Sequence, residues 1–166
     1  VSDKVCMDLG ASTGGFTDCL LRNRARKVYA VDVGYGLLDW RLRQDERVIN
    51  LERTHAAQLT QQAVPELIDI LVADISFNSL TRILSPVMPL MRSGSALIVL
   101  VKPQFEAQKE DVGPGGIVSD PVVHERVCSQ ISEYLESIGT TVVNVCPSPI
   151  LGGQGNQEFF IFARVD

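Results

Sequence analysis

The sequence predicts an α/β fold: a mostly parallel, seven-stranded sheet with helices on both faces and a last strand running antiparallel. Three observations carry this. Short β-rich apolar runs alternate with longer segments of helical spacing. The runs are apolar on both alternating faces, as strands covered by helices on each side must be. The last two runs are joined by no helix, only by Pro147-Ser-Pro-Ile-Leu-Gly-Gly-Gln-Gly155, a linker that suits a hairpin-like reversal.

Taken in order, the strands are expected at Val5–Leu9, Lys27–Val31, Arg47–Leu51, Ile68–Ala73, Ala96–Val101, Thr140–Val145 and Glu158–Ala163, with helices between most of them. In the segment 16–23, Phe16, Cys19 and Leu20 fall at i, i+3, i+4. In the segment 122–138, Val123, Val127, Ile131, Leu135 and Ile138 form one stripe. Such stripes build the core and carry no chemistry. The Pro/Gly-rich stretch from Pro103 to Gly116 is long for a connection, and long loops often serve as lids or binding loops.

The 166 residues fit one domain. Hydrophobic residues make up 45% and charged residues 21%, too apolar for a disordered chain. The longest apolar run, Ser95 to Val101, ends at Lys102, far short of the ~20 residues of a membrane helix. The N-terminus has no signal-peptide shape and no initiator Met, as in a fragment or a processed form. Fifteen Lys and Arg against 20 Asp and Glu give a net charge of −5, which argues against this domain gripping a nucleic-acid backbone alone. The one dense basic run, Arg22-Asn-Arg-Ala-Arg-Lys27, reads as a solvated helix end. Cys6, Cys19, Cys128 and Cys146 form no CxxC pair and sit in apolar stretches, as buried, reduced thiols of a cytoplasmic protein would. His55 and His124 have no partner at metal-ligand spacing, so surface or capping roles are expected and no metal site.

Met7-Asp-Leu-Gly-Ala-Ser-Thr-Gly-Gly-Phe16 follows the first strand and opens a helix. Such a turn lets backbone N–H groups approach a ligand closely. It lacks the Gly-Lys-Ser/Thr of a phosphate loop, and Ser12 stands where a dinucleotide fingerprint needs its second glycine. S-Adenosylmethionine has no pyrophosphate and does not need that glycine. Asp32, 22 residues after Gly10 at the end of the second strand, can accept from both ribose hydroxyls of an adenosine.

Three charged residues sit at strand ends. Asp74 ends the fourth strand, Lys102 ends the fifth, and Glu158 starts the last. Because the last strand is antiparallel, all three are expected at the edge where α/β sheets bind ligands. A lysine directly after six apolar residues is costly unless paired or catalytic.

The motifs Asp8-Leu-Gly-Ala-Ser-Thr-Gly-Gly-Phe-Thr-Asp18, Val28-Tyr-Ala-Val-Asp-Val-Gly-Tyr-Gly36, Leu51-Glu-Arg-Thr54, Asp74-Ile-Ser-Phe77, Val101-Lys-Pro-Gln-Phe-Glu106 and Gly115-Gly-Ile-Val-Ser-Asp120 resemble the TlyA branch of the FtsJ-like methyltransferases, whose members are often labelled hemolysins. Thr13 and Phe16, where the broader family has Pro and Trp, favour that branch. The resemblance covers essentially the whole chain. It implies a Rossmann-like fold and methyl transfer from S-adenosylmethionine to a ribose 2′-hydroxyl of ribosomal RNA in the cytoplasm. It also implies that Asp74, Lys102 and Glu158 are three members of a Lys-Asp-Lys-Glu tetrad. The first lysine lies upstream of the glycine turn, outside this chain, and Lys4 stands too close to the first strand to be it. An N-terminal S4-type RNA-binding domain, the expected link to the ribosomal subunit, is likewise outside it.

On this reading Lys102 is the base, Asp74 orients it beside the cationic cofactor, and Glu158 positions the lysines or the ribose. Gly10, Ala11, Ser12, Gly14, Gly15 and Phe16 shape the cofactor turn, with Asp8 nearby and Asp32 and Val33 on the cofactor's ribose side. A lysine of ordinary pKa, about 10.4, is a poor base at neutral pH, and a second cation would lower it. Without the upstream lysine and the S4-type domain, the chain is expected to bind its cofactor and methylate RNA poorly. Two rivals are a cofactor-binding module without catalysis and a membrane-lytic protein. The sequence holds no spanning segment or basic amphipathic helix for the second.

Overall fold

The computed structural model describes residues 1–166. Seven strands form one sheet: β1 (Val5–Leu9), β2 (Lys27–Val31), β3 (Val48–Leu51), β4 (Ile68–Ala73), β5 (Met91–Val101), β6 (Thr140–Pro147) and β7 (Phe159–Val165). Their order is β3-β2-β1-β4-β5-β7-β6. All pairings from β3 to β5 are parallel, and β7 runs antiparallel to both β5 and β6. The chain winds outward from β1 to β3, then returns to start β4 on the other side of β1. That reversal between β1 and β4 is the place where open α/β sheets bind ligands.

Strand alternation assigns each side chain to one of two cores. Val5, Met7 and Leu9 of β1, and Leu97, Val99 and Val101 of β5, face the larger core. Cys6 faces the smaller core, with Leu20 and Leu21 of α1 (Gly15–Arg22). The larger core is covered by α5 (Pro121–Ser137), where Val123, Val127, Ile131 and Leu135 are all buried, as the stripe predicts. Asp120 caps α5, its side chain accepting from Val122 N at 2.9 Å, and Pro121 fills the first helical position.

The other crossovers are shorter than the sequence suggested. Between β2 and β3 lies the four-residue α2 (Trp40–Arg43). Between β3 and β4 there is a 3-10 turn at Ala56–Gln58. Between β4 and β5 there are α3 (Leu80–Ile83) and a 3-10 segment, Ser85–Leu90. Pro65, Pro86 and Pro89 withhold the N–H donors that longer helices would need. The stretch after β5 is also no open loop. It holds α4 (Pro103–Glu106) and two 3-10 turns, Lys109–Asp111 and Pro114–Gly116.

The cysteine expectation is half corrected. All four thiols are free, but Cys19 and Cys146 are exposed. Cys6 and Cys128 are buried, and burial pushes both thiols up to about 11. His55 caps the turn at Ala56–Gln58, its Nδ1 accepting from Ala57 N at 3.2 Å. No helix is long and apolar enough to cross a membrane.

Candidate active site

The C-terminal ends of the parallel strands are tied to one another by their backbones. Gly10 N donates to Val31 O at 2.9 Å, Asp32 N to Leu51 O at 3.1 Å and Asp74 N to Leu9 O at 2.9 Å. Gly10 sits at the reversal point with φ +79°, and a Cβ there would lie 2.3 Å from the Asp74 carbonyl oxygen. Only glycine lets β1 and β4 approach this closely.

A cavity of about 350 Å³ opens at this edge. Gly10, Ser12, Asp32, Val33 and Asp74 line it, and so do Leu37, Thr54, His55, Ile75, Ser76, Phe77 and Asn78. The second group had no ligand role assigned from sequence. Two of the motifs, 51–54 and 74–77, contain four of its members, Thr54, Ile75, Ser76 and Phe77, and the signal was their place directly after β3 and β4. Asp32 is fixed at the cavity wall: Oδ2 accepts from Ser12 N at 2.8 Å and Oδ1 from Gly34 N at 2.7 Å. Each oxygen keeps a second lone pair for a ligand hydroxyl.

The remaining turn residues lie around the cavity and do not line it. Ala11 is buried against α1. Gly14 has φ +101° and faces Leu42, while a Cβ at Gly15 would meet nothing within 4 Å. Phe16 packs edge-on against Phe160, with ring centroids 6.4 Å apart, so its visible role is packing. Asp8 is fully buried between the sheet and α1, where Thr17 Oγ1 donates to its Oδ2 at 2.7 Å. Its Oδ1 has no partner, and burial pushes its carboxyl up to about 6.

Beside the cavity, Lys102 Nζ lies 2.5 Å from Asp74 Oδ1. The angles of that contact do not make a hydrogen bond, so this buried oxygen has no hydrogen-bond partner. The amine's aligned donation goes to Ser76 Oγ at 2.9 Å. Glu158 stands at the same sheet edge. Continuing the antiparallel register Val101↔Phe159 by one residue sets it beside Lys102. Its carboxylate nevertheless makes no ion pair with Lys102. Glu158 Oε1 accepts from Gln104 Nε2 at 3.3 Å, and the side chain is 7% exposed. Asp74 and Lys102 therefore meet directly, while Glu158 shares their edge and is held separately.

At the mouth, Phe77 is 90% exposed and holds φ +61°, a left-handed backbone that costs energy in any residue with a Cβ. Its ring sits 5.2 Å from that of Phe105, which follows Lys102 on α4. Glu106 fastens α4 to this side of the site, its Oε2 accepting from Ser79 Oγ at 2.6 Å and its Oε1 from Leu80 N at 2.8 Å. Burial raises the Glu106 carboxyl above its ordinary value.

These residues fit S-adenosylmethionine. The cavity has the size of a small-molecule site. Asp32 and Asp74 put carboxylates on its wall, which suits a cationic ligand with ribose hydroxyls, and Gly15 leaves open space at the start of α1.

Known proteins give the same direction. Over 164 residues the chain is 44% identical to the 16S/23S rRNA (cytidine-2′-O)-methyltransferase TlyA of Mycobacterium tuberculosis, covering 99% of this chain and 61% of that protein. It is 40% identical over 160 residues to Hemolysin A of Brachyspira hyodysenteriae, covering 96% and 67%. A solved structure described as a candidate hemolysin from Streptococcus thermophilus superposes with a TM-score of 0.96 at 40% identity, over 100% of this chain and 61% of that one. The chain thus spans about three fifths of the length of the first of these relatives. The model of the FtsJ-like methyltransferase family matches residues 1–165. A cavity at the sheet's reversal point, bordered by a glycine turn and a lysine–aspartate pair, is therefore set in a sequence that matches one family from end to end, and this chain belongs to the FtsJ-like methyltransferases.

Proposed function

We propose that the site transfers a methyl group from S-adenosylmethionine to a ribose 2′-hydroxyl of ribosomal RNA. The observation that carries it is the Lys102–Asp74–Ser76 cluster on the rim of the cavity that Asp32 and Gly10 build. The relatives' printed activity supports the choice of hydroxyl and RNA. We assign contact with the ribosomal subunit to an S4-type RNA-binding domain accompanying this one, and the reaction to the cytoplasm.

Asp32 would hold the ribose of the cofactor, the 10–15 turn its methionine end, with Asp8 buried behind that turn and Asp74 facing the cationic cofactor. Bound there, S-adenosylmethionine supplies a methyl carbon activated by a sulfonium. Lys102, in its neutral amine form, would take up the 2′-hydroxyl proton at Nζ and so ready the ribose oxygen for the methyl group. Asp74 and Ser76 fix the amine's direction, and Glu158 steadies the lysine side of the site. Phe77 offers an exposed aromatic face on which the base of the target nucleotide stacks, as single-stranded RNA does on such side chains.

The test pairs calorimetry with a labelled methyl donor. S-Adenosylhomocysteine is expected to bind and NAD not, and Lys102→Ala to abolish transfer to ribosomal RNA without abolishing cofactor binding. Binding of NAD alone, or undiminished transfer by Lys102→Ala, would overturn the assignment.

A further inference from the structure

Two glycine-rich loops flank Glu158, and one buried side chain joins them. Asn156 is 2% exposed. Its Oδ1 accepts from Val118 N at 2.9 Å, and its Nδ2 donates to Gly116 O at 3.0 Å and Gly153 O at 3.3 Å. The first two partners lie in the strap that leads from β5 to α5. The third lies in the loop between β6 and β7. Val118 is gripped from its other side as well, because His124 Nε2 on α5 bonds Val118 O at 2.8 Å. The His124 ring in turn rests 5.3 Å from that of Phe159, the residue after Glu158.

The same loop shapes the seat of Glu158. Through main-chain atoms alone, Gly152 N donates to Asn156 O at 2.8 Å and Ser148 N donates to Glu158 O at 2.8 Å. The Glu158 carboxylate lies so close to Gly152 that a Cβ there would fall 2.0 Å from Oε1. The position of Gly152 therefore limits where the carboxylate can sit, and the Asn156 side chain holds this loop at Gly153, the next residue. A buried amide with every donor and acceptor engaged holds one geometry, because each lost bond strands a partner in the interior.

We propose that Asn156 is a positioning residue for methyl transfer: by bonding Val118, Gly116 and Gly153 together it locks the strap to the β6–β7 loop and so holds Glu158 at the Lys102 edge of the site. This rests on the methyltransferase reading of that site. The cofactor cavity lies on the other side, over β1, β2 and β4, and should not sense the change.

The test compares the protein with Asn156→Ala, Glu158→Gln and the double variant. Asn156→Ala is expected to lower kcat by ~10- to 100-fold, the usual consequence of misplacing a reacting group. Affinity for S-adenosylhomocysteine should stay within ~2-fold, since the two sites share no partners. In the Glu158→Gln background the same substitution should cost no further rate, because Asn156 acts only through that carboxylate. Unchanged kcat, or an equal loss in both backgrounds, would overturn the proposal and leave Asn156 a stabilising residue. If the parent protein transfers no methyl group, the functional reading fails separately, and hydrogen exchange decides the clamp. Amides 113–118 and 152–158 must then open together in Asn156→Ala, and opening confined to one loop would overturn it.

Discussion

Asp8 is a carboxyl whose charge the fold disfavours. It is raised from its ordinary 3.8 to about 6, chiefly by burial and against the help of the Thr17 hydroxyl. Below about pH 4 the folded and unfolded chains both hold this proton. Between about pH 4 and 6 the unfolded chain releases it while the folded chain keeps it, so raising the pH favours unfolding. A shift of that size corresponds to about 3 kcal/mol, fully felt above about pH 6. Asp8→Asn should remove this slope, so urea denaturation at several pH values should show the variant gaining on the parent as pH rises. Asp32 is the opposite case, a carboxylate held ready by two backbone donors. Asp32→Ala should weaken S-adenosylhomocysteine binding by about 1.5–3 kcal/mol in calorimetry. Phe77 stays 90% exposed even with its ring beside that of Phe105. Phe77→Ala should raise KM for RNA by roughly tenfold, the effect of losing one stacked base.

At the scale of elements, the long apolar stripe of α5 carries much of the larger core. Ile131→Ala should cost about 2–5 kcal/mol, read as a lowered Tm with the fold retained. That stripe was legible because a 17-residue helix repeats its pattern over several turns. β1, β2 and β4 were legible to the residue, each a β-rich apolar run ending at Gly10, Asp32 or Asp74. β5 was not: it begins at Met91, and Arg92-Ser-Gly-Ser95 reads as a turn although Met91 already pairs with Ile68. Within the site, Asp74 and Lys102 stood out as charges ending apolar strands. Thr54, His55, Ser76 and Asn78 did not, because they lie in irregular segments where no period marks which side chains turn toward the cavity. Phe16 misled for a related reason. It directly follows the glycine turn, yet the start of α1 rotates it onto Phe160.

For the whole molecule, charge sets how RNA can be met. Nine of the 15 lysines and arginines are spent on ion pairs with the chain's own carboxylates. Of the others, Arg53, Arg82 and Lys109 follow β3, β4 and β5 and are exposed. Three such cations would displace few counterions, so log K for single-stranded RNA against log salt should have a slope of about −2. A much steeper slope in filter binding would reveal a basic surface other than this rim. The sheet order has a temporal consequence too. β6 has β7 as its sole sheet partner, and β7 separates it from β5. On the ribosome, where chains emerge N-terminus first, β1 to β5 can pair as they appear, but β6 must wait for the final strand to slip in beside β5. The half of the molecule that holds the proposed cofactor cavity is thus complete before Glu158 has been translated, so a nascent chain has its ligand pocket before the edge that Glu158 shares with Lys102.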